Sequence, residues 1–124
     1  MKVQSIDITL HVVSLERTME WYKKILGWKS GCDLKNDQGE CIFGDVYYSH
    51  NPLIGFNLLK SNRPIRPLGF HPLLKVDNLE LLITHFRENN VEITQEIQTQ
   101  PWGKNLKILD LNGFELEFWS EKLG

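Results

Sequence analysis

The chain has 124 residues, enough for one ordinary domain with its own core and too few for an eight-fold β/α barrel, which takes about 250. Fourteen Lys and Arg stand against sixteen Asp and Glu, a formal charge of −2, without the basic excess of a protein that neutralises phosphates, so nucleic acid is not an expected partner. With 41% hydrophobic and 24% charged residues the composition is that of a globular protein, and no apolar run is long enough to span a membrane.

The opening SIDITLHVV alternates, with Ile6, Ile8, Leu10 and Val12 on one face and Asp7, Thr9 and His11 on the other, which predicts a half-buried strand. The segment has no small-residue cleavage site, and the expected location is cytoplasmic. Ser14 is placed to cap a helix whose apolar positions Leu15, Met19, Tyr22, Ile25 and Leu26 recur at helical spacing, and Gly27 ends it. WKSGCDL and CIFGDVYYS read as strands around the turn NDQG, and HNPL is a second turn before the strand LIGFNLLK. Cys32 and Cys41 lie nine positions apart with no second pair to complete a zinc site. Free thiols are the expectation, with a cross-strand disulfide as the lesser alternative.

SNRPIRPLG, residues 61–69, cannot continue a helix or a central strand and is expected to link two halves, 1–60 and 70–120, of one domain. Beyond it FHPLLKV is a strand. Asn78 then caps a helix with the stripe Leu79, Leu82, Ile83 and Phe86, which ends near Asn89 and Asn90. VEITQEIQ is a strand, TQPWGKN a loop, LKILDL a strand, LNG a turn and FELEFWS the last strand. The order β, α, β, β, β thus occurs twice. An offset of 64 residues lays Val12 on Val76, Leu15 on Leu79, Glu16 on Glu80, Met19 on Ile83 and Tyr22 on Phe86. The expected fold is α+β: two tandem βαβββ modules forming an incomplete, mixed β-barrel around a central cleft, with one helix per module on the outside.

Three stretches, VVSLERTMEWYKKILGW, HPLLKVDNLE and LDLNGFELEFW, resemble the vicinal oxygen chelate superfamily, which includes glyoxalase I, extradiol dioxygenases and the bleomycin resistance proteins. The resemblance covers essentially the whole chain. It implies one divalent metal ion, Mn, Fe, Zn or Ni, held by Asp7, His71 and Glu117 and chelating neighbouring oxygens of a small-molecule substrate. Asp7 stands where the family more often has histidine or glutamine, and Asn57 falls at the remaining ligand position, where a weak ligand or a polar substrate contact is expected. Imidazole with carboxylates suits these ions, and His11 or Glu115 is placed to move a proton in a lyase, isomerase or dioxygenase reaction. The alternative is a metal-free binding protein of the bleomycin-resistance type, with Phe56, Trp102 and Trp119 stacking on a flat ligand. Bland readings stand beside these: core packing for Trp119, a loop anchor for Trp102, solvated charge for Glu115, and a hydrogen-bonded strand-end residue for His71. A homodimer is also implied by the resemblance.

Overall fold

The computed structural model describes residues 1–63, 65, 66 and 69–121. The chain forms two compact units, Met1–Ile65 and Arg66–Gly124, and the division falls inside the expected 61–69 linker, of which Pro64, Pro67 and Leu68 lie outside the described residues.

In the first unit β1 (Thr9–Val12) leads to α1 (Leu15–Trp21), a π-helical turn (Tyr22–Leu26), β2 (Lys29–Lys35), β3 (Cys41–His50) and β4 (Leu53–Lys60). The strand order is β1-β4-β3-β2, with β1 parallel to β4 and the other pairs antiparallel. A parallel pair needs a crossover, and the segment that contains α1 supplies it. Ser14 caps the helix as expected, its hydroxyl accepting from the Arg17 N–H at 3.2 Å. Gly27 ends the π-helical turn with φ of 70°, a left-handed conformation that a side chain would resist. Leu15, Thr18, Tyr22 and Ile25 are the buried stripe. Tyr22 meets Trp28 at 5.5 Å and Phe56 at 6.1 Å between ring centres, so the core of this unit is built around three aromatic rings. Gly44 has no room for a side chain, because a Cβ there would stand 2.3 Å from the Gly31 carbonyl oxygen.

The second unit repeats the plan with β5 (Leu73–Lys75), α2 (Leu79–Glu88), β6 (Ile93–Gln100), β7 (Gly103–Leu109) and β8 (Glu115–Glu121), ordered β5-β8-β7-β6. The pairings match: Thr9 lies opposite Asn57 in the first parallel pair, and Leu73 lies opposite Glu117 in the second. Asn78 caps α2 by accepting from the Leu81 N–H at 3.0 Å, and Asn90, with φ of 56°, takes the left-handed position after the helix. Leu79, Ile83 and Phe86 pack in a core with Leu106, Ile108, Leu116 and Phe118, all within 4% exposure. The Phe86 and Phe118 rings are 5.4 Å apart. Asp110 shapes the turn into β8, its Oδ1 accepting from the N–H groups of Asn112 at 2.8 Å and Phe114 at 2.9 Å.

Three expectations need correction. The first strand begins at Thr9 instead of Ser5, since only from Thr9 on does the chain lie in register with β4. The segment expected as a loop over 99–105 is largely strand, because β6 runs to Gln100 and β7 starts at Gly103, leaving Pro101 and Trp102 as the turn. Cys32 and Cys41 are joined as a disulfide with Cα atoms 6.0 Å apart. A regular ladder pairs Cys32 with Gly44 and Lys35 with Cys41, and the register irregularities around Leu34 bring the two cysteines within bonding distance. The bond ties β2, an edge strand exposed at nearly every residue, to its neighbour.

No helix of the described residues is long and apolar enough to cross a membrane. The short loop closed by the disulfide sets its expected worth. Thiol titration of the unfolded, unreduced protein should find no free thiol, and the Cys32→Ser, Cys41→Ser double variant should lose about 2–3 kcal/mol of unfolding free energy in urea.

Candidate functional site

Strand β8 lies between β5 and β7, and its side chains alternate. Leu116 and Phe118 enter the core, so Glu115, Glu117 and Trp119 stand on the opposite face. Cross-strand register puts Lys107 and Leu73 beside Glu117, and Asn105 and Lys75 beside Trp119, on that same face. The Glu117 N–H donates to the Pro72 carbonyl at 3.1 Å, which holds the segment carrying His71 against β8.

A chain of polar side chains results. His71 Nε2 lies 2.7 Å from Glu117 Oε1, while Asn105 Nδ2 donates to Glu117 Oε2 at 3.1 Å and Gln100 Nε2 donates to Asn105 Oδ1 at 3.2 Å. Glu117 is 8% exposed and Asn105 5%, so the carboxylate has exchanged water for two protein donors. An ionised carboxylate only accepts, so Nε2 carries the hydrogen of that bond, and the neutral ring's lone pair is at Nδ1. Glu115 Oε1 stands 3.8 Å from Nδ1, and the Thr94 hydroxyl donates to Glu115 Oε2 at 3.3 Å. The imidazole is thus oriented by one carboxylate and faced by a second, an arrangement able to hydrogen-bond a ligand or move a proton at Nδ1.

Beside these groups stands an aromatic corner. Trp102, in the turn between β6 and β7, meets Trp119 edge to face at 5.6 Å between ring centres and is 46% exposed. The Lys75 ammonium sits 5.3 Å from the centre of the Trp119 ring and is paired with Glu121. Glu117 and Trp119 are two residues apart on one strand face, roughly 7 Å along it.

As ligands of one metal ion, His71 and Glu117 would have to part. Two donor atoms on a zinc-sized ion are about 3.3 Å apart at the tetrahedral angle and about 2.9 Å apart at a right angle. Their 2.7 Å contact is a direct hydrogen bond. Glu115 approaches the other ring nitrogen, so the two carboxylates flank the imidazole instead of converging on one side of it. Among the described residues no group of three or more His, Cys, Asp or Glu is brought together as a metal site.

Of the residues singled out in the sequence, the second unit brings together His71, Glu115, Glu117, Trp102 and Trp119. The other four belong to the first unit. Asp7 is exposed and precedes β1; His11 is half-buried in β1, between the buried Leu10 and Val12. Asn57 is half-buried in β4, opposite Thr9 and Asp45, and its N–H donates to the Ile8 carbonyl at 2.8 Å. Phe56 is 4% exposed in the aromatic core of that unit.

Several groups escaped the sequence reading. Asn105 and Gln100 fell in a segment read as loop, and only the strand register places them beside Glu117. In the first unit His50 Nε2 lies 3.0 Å from Asp45 Oδ2, with the His50 ring stacked on Tyr47 at 3.4 Å. A period-2 reading from Asp45 would have found Tyr47, though not His50, which a register irregularity brings round. A surface cavity of about 510 Å³ lies beside Lys75, Glu80, Lys104 and Glu121 in the second unit. There the hydrogen bond from Lys104 holds the Glu80 carboxyl below its usual range.

Comparison with known proteins follows this geometry. The sequence model of the Glyoxalase/Bleomycin resistance protein/Dioxygenase superfamily matches residues 6–118. Among solved structures, a glyoxalase-related enzyme from Clostridium phytofermentans is 23% identical with a TM-score of 0.80, covering 98% of each chain. A glyoxylase/bleomycin resistance protein/dioxygenase domain from Frankia sp. EAN1pec is 19% identical with a TM-score of 0.74, covering 99% of this chain and 96% of its own. TnmS3, an antibiotic binding protein from Streptomyces sp. CB03234, is 16% identical with a TM-score of 0.69, covering 98% of this chain and 99% of its own. Among curated proteins no sequence matches significantly.

The polar chain predicts a cost for breaking it. Asn105→Ala should lower the unfolding free energy by about 1–3 kcal/mol in urea denaturation, because it leaves a buried carboxylate oxygen without its donor.

Proposed function

We propose that this chain, which belongs to the Glyoxalase/Bleomycin resistance protein/Dioxygenase superfamily, binds an aromatic small molecule on the β8 face of its second sheet without a resident metal ion. The observation that carries this reading is the direct 2.7 Å bond between His71 and Glu117, which engages the two side chains with each other where a metal ion would need them apart. Trp102 and Trp119 supply an exposed edge-to-face corner against which a flat ring can pack. His71 Nδ1 and Glu115 offer polar contacts at the other end of the face. One fold neighbour is an antibiotic binding protein and another a glyoxalase-related enzyme, so the fold accommodates either role.

The second reading is a metal-dependent enzyme of lyase, isomerase or dioxygenase type with Asp7, His71 and Glu117 as ligands. What favours it is that His71 and Glu117 do meet on one sheet face. The set draws on both units, and Asp7 with His11 belongs to the first. A homodimer remains part of either reading.

Elemental analysis after dialysis against Mn²⁺, Fe²⁺, Zn²⁺ and Ni²⁺ in turn separates them. The expected result is far less than one ion per chain for each metal, together with loss of aromatic-ligand binding in Trp119→Ala. Near-stoichiometric metal that disappears in His71→Ala would overturn the metal-free reading and put the enzyme forward.

A further inference from the structure

The disulfide of the first unit joins two cysteines of unequal exposure across an irregular stretch of ladder. Cys32 is exposed on the edge strand β2, and Cys41 at the start of β3 is 4% exposed. Cys32 lies opposite Gly44 and Lys35 opposite Cys41. Between those rungs stands a single pair, Leu34 opposite Phe43, with Asp33 and Ile42 left over on their strands. A regular ladder between the same end rungs has two pairs instead, Asp33 with Phe43 and Leu34 with Ile42. Opposed residues share a face and faces alternate along a strand, so in that ladder Gly44 and Cys41 point to opposite faces. Cys32 shares the face of Gly44 and then could not reach Cys41. The bond exists only with the irregular pairing.

The same alternation decides where Leu34 goes. Beside Phe43 and Leu59 it stands on the face turned away from the buried Val46 and Leu58, 56% exposed, and walls a surface cavity of about 350 Å³. In the regular ladder Leu34 and Ile42 take the face of Gly44, which Met19 of α1 covers. Two aliphatic side chains, one exposed and one half-buried, then gain an apolar neighbour, and Asp33 and Ile42 gain ladder partners. What that ladder gives up is the bond from the Cys41 N–H to Glu16 Oε1, 3.0 Å long.

We propose that Cys32–Cys41 is a thiol-exchange site, and that its reduction switches the tip of the β2–β3 hairpin from the irregular to the regular pairing, withdrawing Leu34 from the cavity. The co-reactant is a dithiol. Its thiolate attacks Sγ of the exposed Cys32, the S–S bond breaks, and the Cys41 sulfur leaves as a thiolate that takes up a proton. The reagent's second thiol then displaces Cys32, so the protein gains two electrons and two protons while the dithiol becomes a disulfide.

Brief exposure to glutathione, followed by N-ethylmaleimide in denaturant and peptide mapping, locates the attack. The glutathione adduct should lie on Cys32, in about tenfold or greater excess over Cys41, because access selects the sulfur attacked. Nuclear magnetic resonance of the whole chain reads the pairing through cross-strand proton contacts. The oxidised protein should show Leu34 against Phe43. In dithiothreitol those contacts should give way to Leu34 against Ile42 and Asp33 against Phe43, while the Cys32–Gly44 contacts and the second unit's signals stay as they were. The Cys32→Ser, Cys41→Ser double variant should show this second pattern with or without dithiothreitol; if it does not fold, reduced wild type alone decides. An adduct chiefly on Cys41, a bond that withstands dithiothreitol, Leu34–Phe43 contacts that persist after reduction, or loss of every β2–β3 contact would each overturn the proposal.

Discussion

Everything described in the second unit depends on the placing of β8 between two neighbours. A strand paired on both edges has its backbone polar groups satisfied by the sheet, and its side chains are left to point to two faces. One face must be apolar because α2 lies over it, and Leu116 and Phe118 fill that role. The other face is then free of the core's demand for hydrocarbon. It carries Trp119 together with Glu115 and Glu117, whose carboxylates would be costly among Phe86, Leu106 and Ile108.

Burial on the second face is still considerable for Glu117, and its partners are what make that tolerable. His71 comes from the segment before β5 and Asn105 from β7, so the carboxylate is satisfied from both neighbouring strands. The same bonds that offset its desolvation also fix which imidazole nitrogen faces outward. Structural necessity and chemical capacity are therefore properties of one set of contacts. Lys107 lies across the ladder from Glu117 in the same row, with Gln95 beyond it.

The first unit shows how little of this follows from the backbone plan alone. It has the same strand order and the same parallel register, with Thr9 opposite Asn57 where the second unit has Leu73 opposite Glu117. Its face bears Asp45 where the second unit has Lys107, each the partner across the ladder of the corresponding central-strand residue. There the histidine near the carboxylate is His50, from the end of β3, and it stacks on Tyr47. One frame thus supports two different sets of polar groups, which is why fold likeness at 16 to 23% identity speaks for architecture and not for ligand.

Local pattern was enough for much of the architecture. Capping residues Ser14 and Asn78, the helix stripes, the turn LNG before the last strand and the repeat of β, α, β, β, β were all legible, because each is fixed by interactions within a few residues. So was the alternation that sets Glu115, Glu117 and Trp119 apart from the core. What stayed hidden depended on register between distant segments. Periodicity assigns Phe56 and Asn57 to opposite faces of β4 without saying which face α1 covers; packing against Tyr22 took Phe56 into the core. A disulfide between Cys32 and Cys41 needs the irregular pairing of β2 with β3, which no spacing rule contains. The sequence by itself determined the elements, their order and the identity of the polar residues on each strand, since those rest on near neighbours in the chain. Only the tertiary structure decided that His71 and Asn105 both bond Glu117, because which side chains meet across a sheet is set by hydrogen-bond register between strands far apart in sequence.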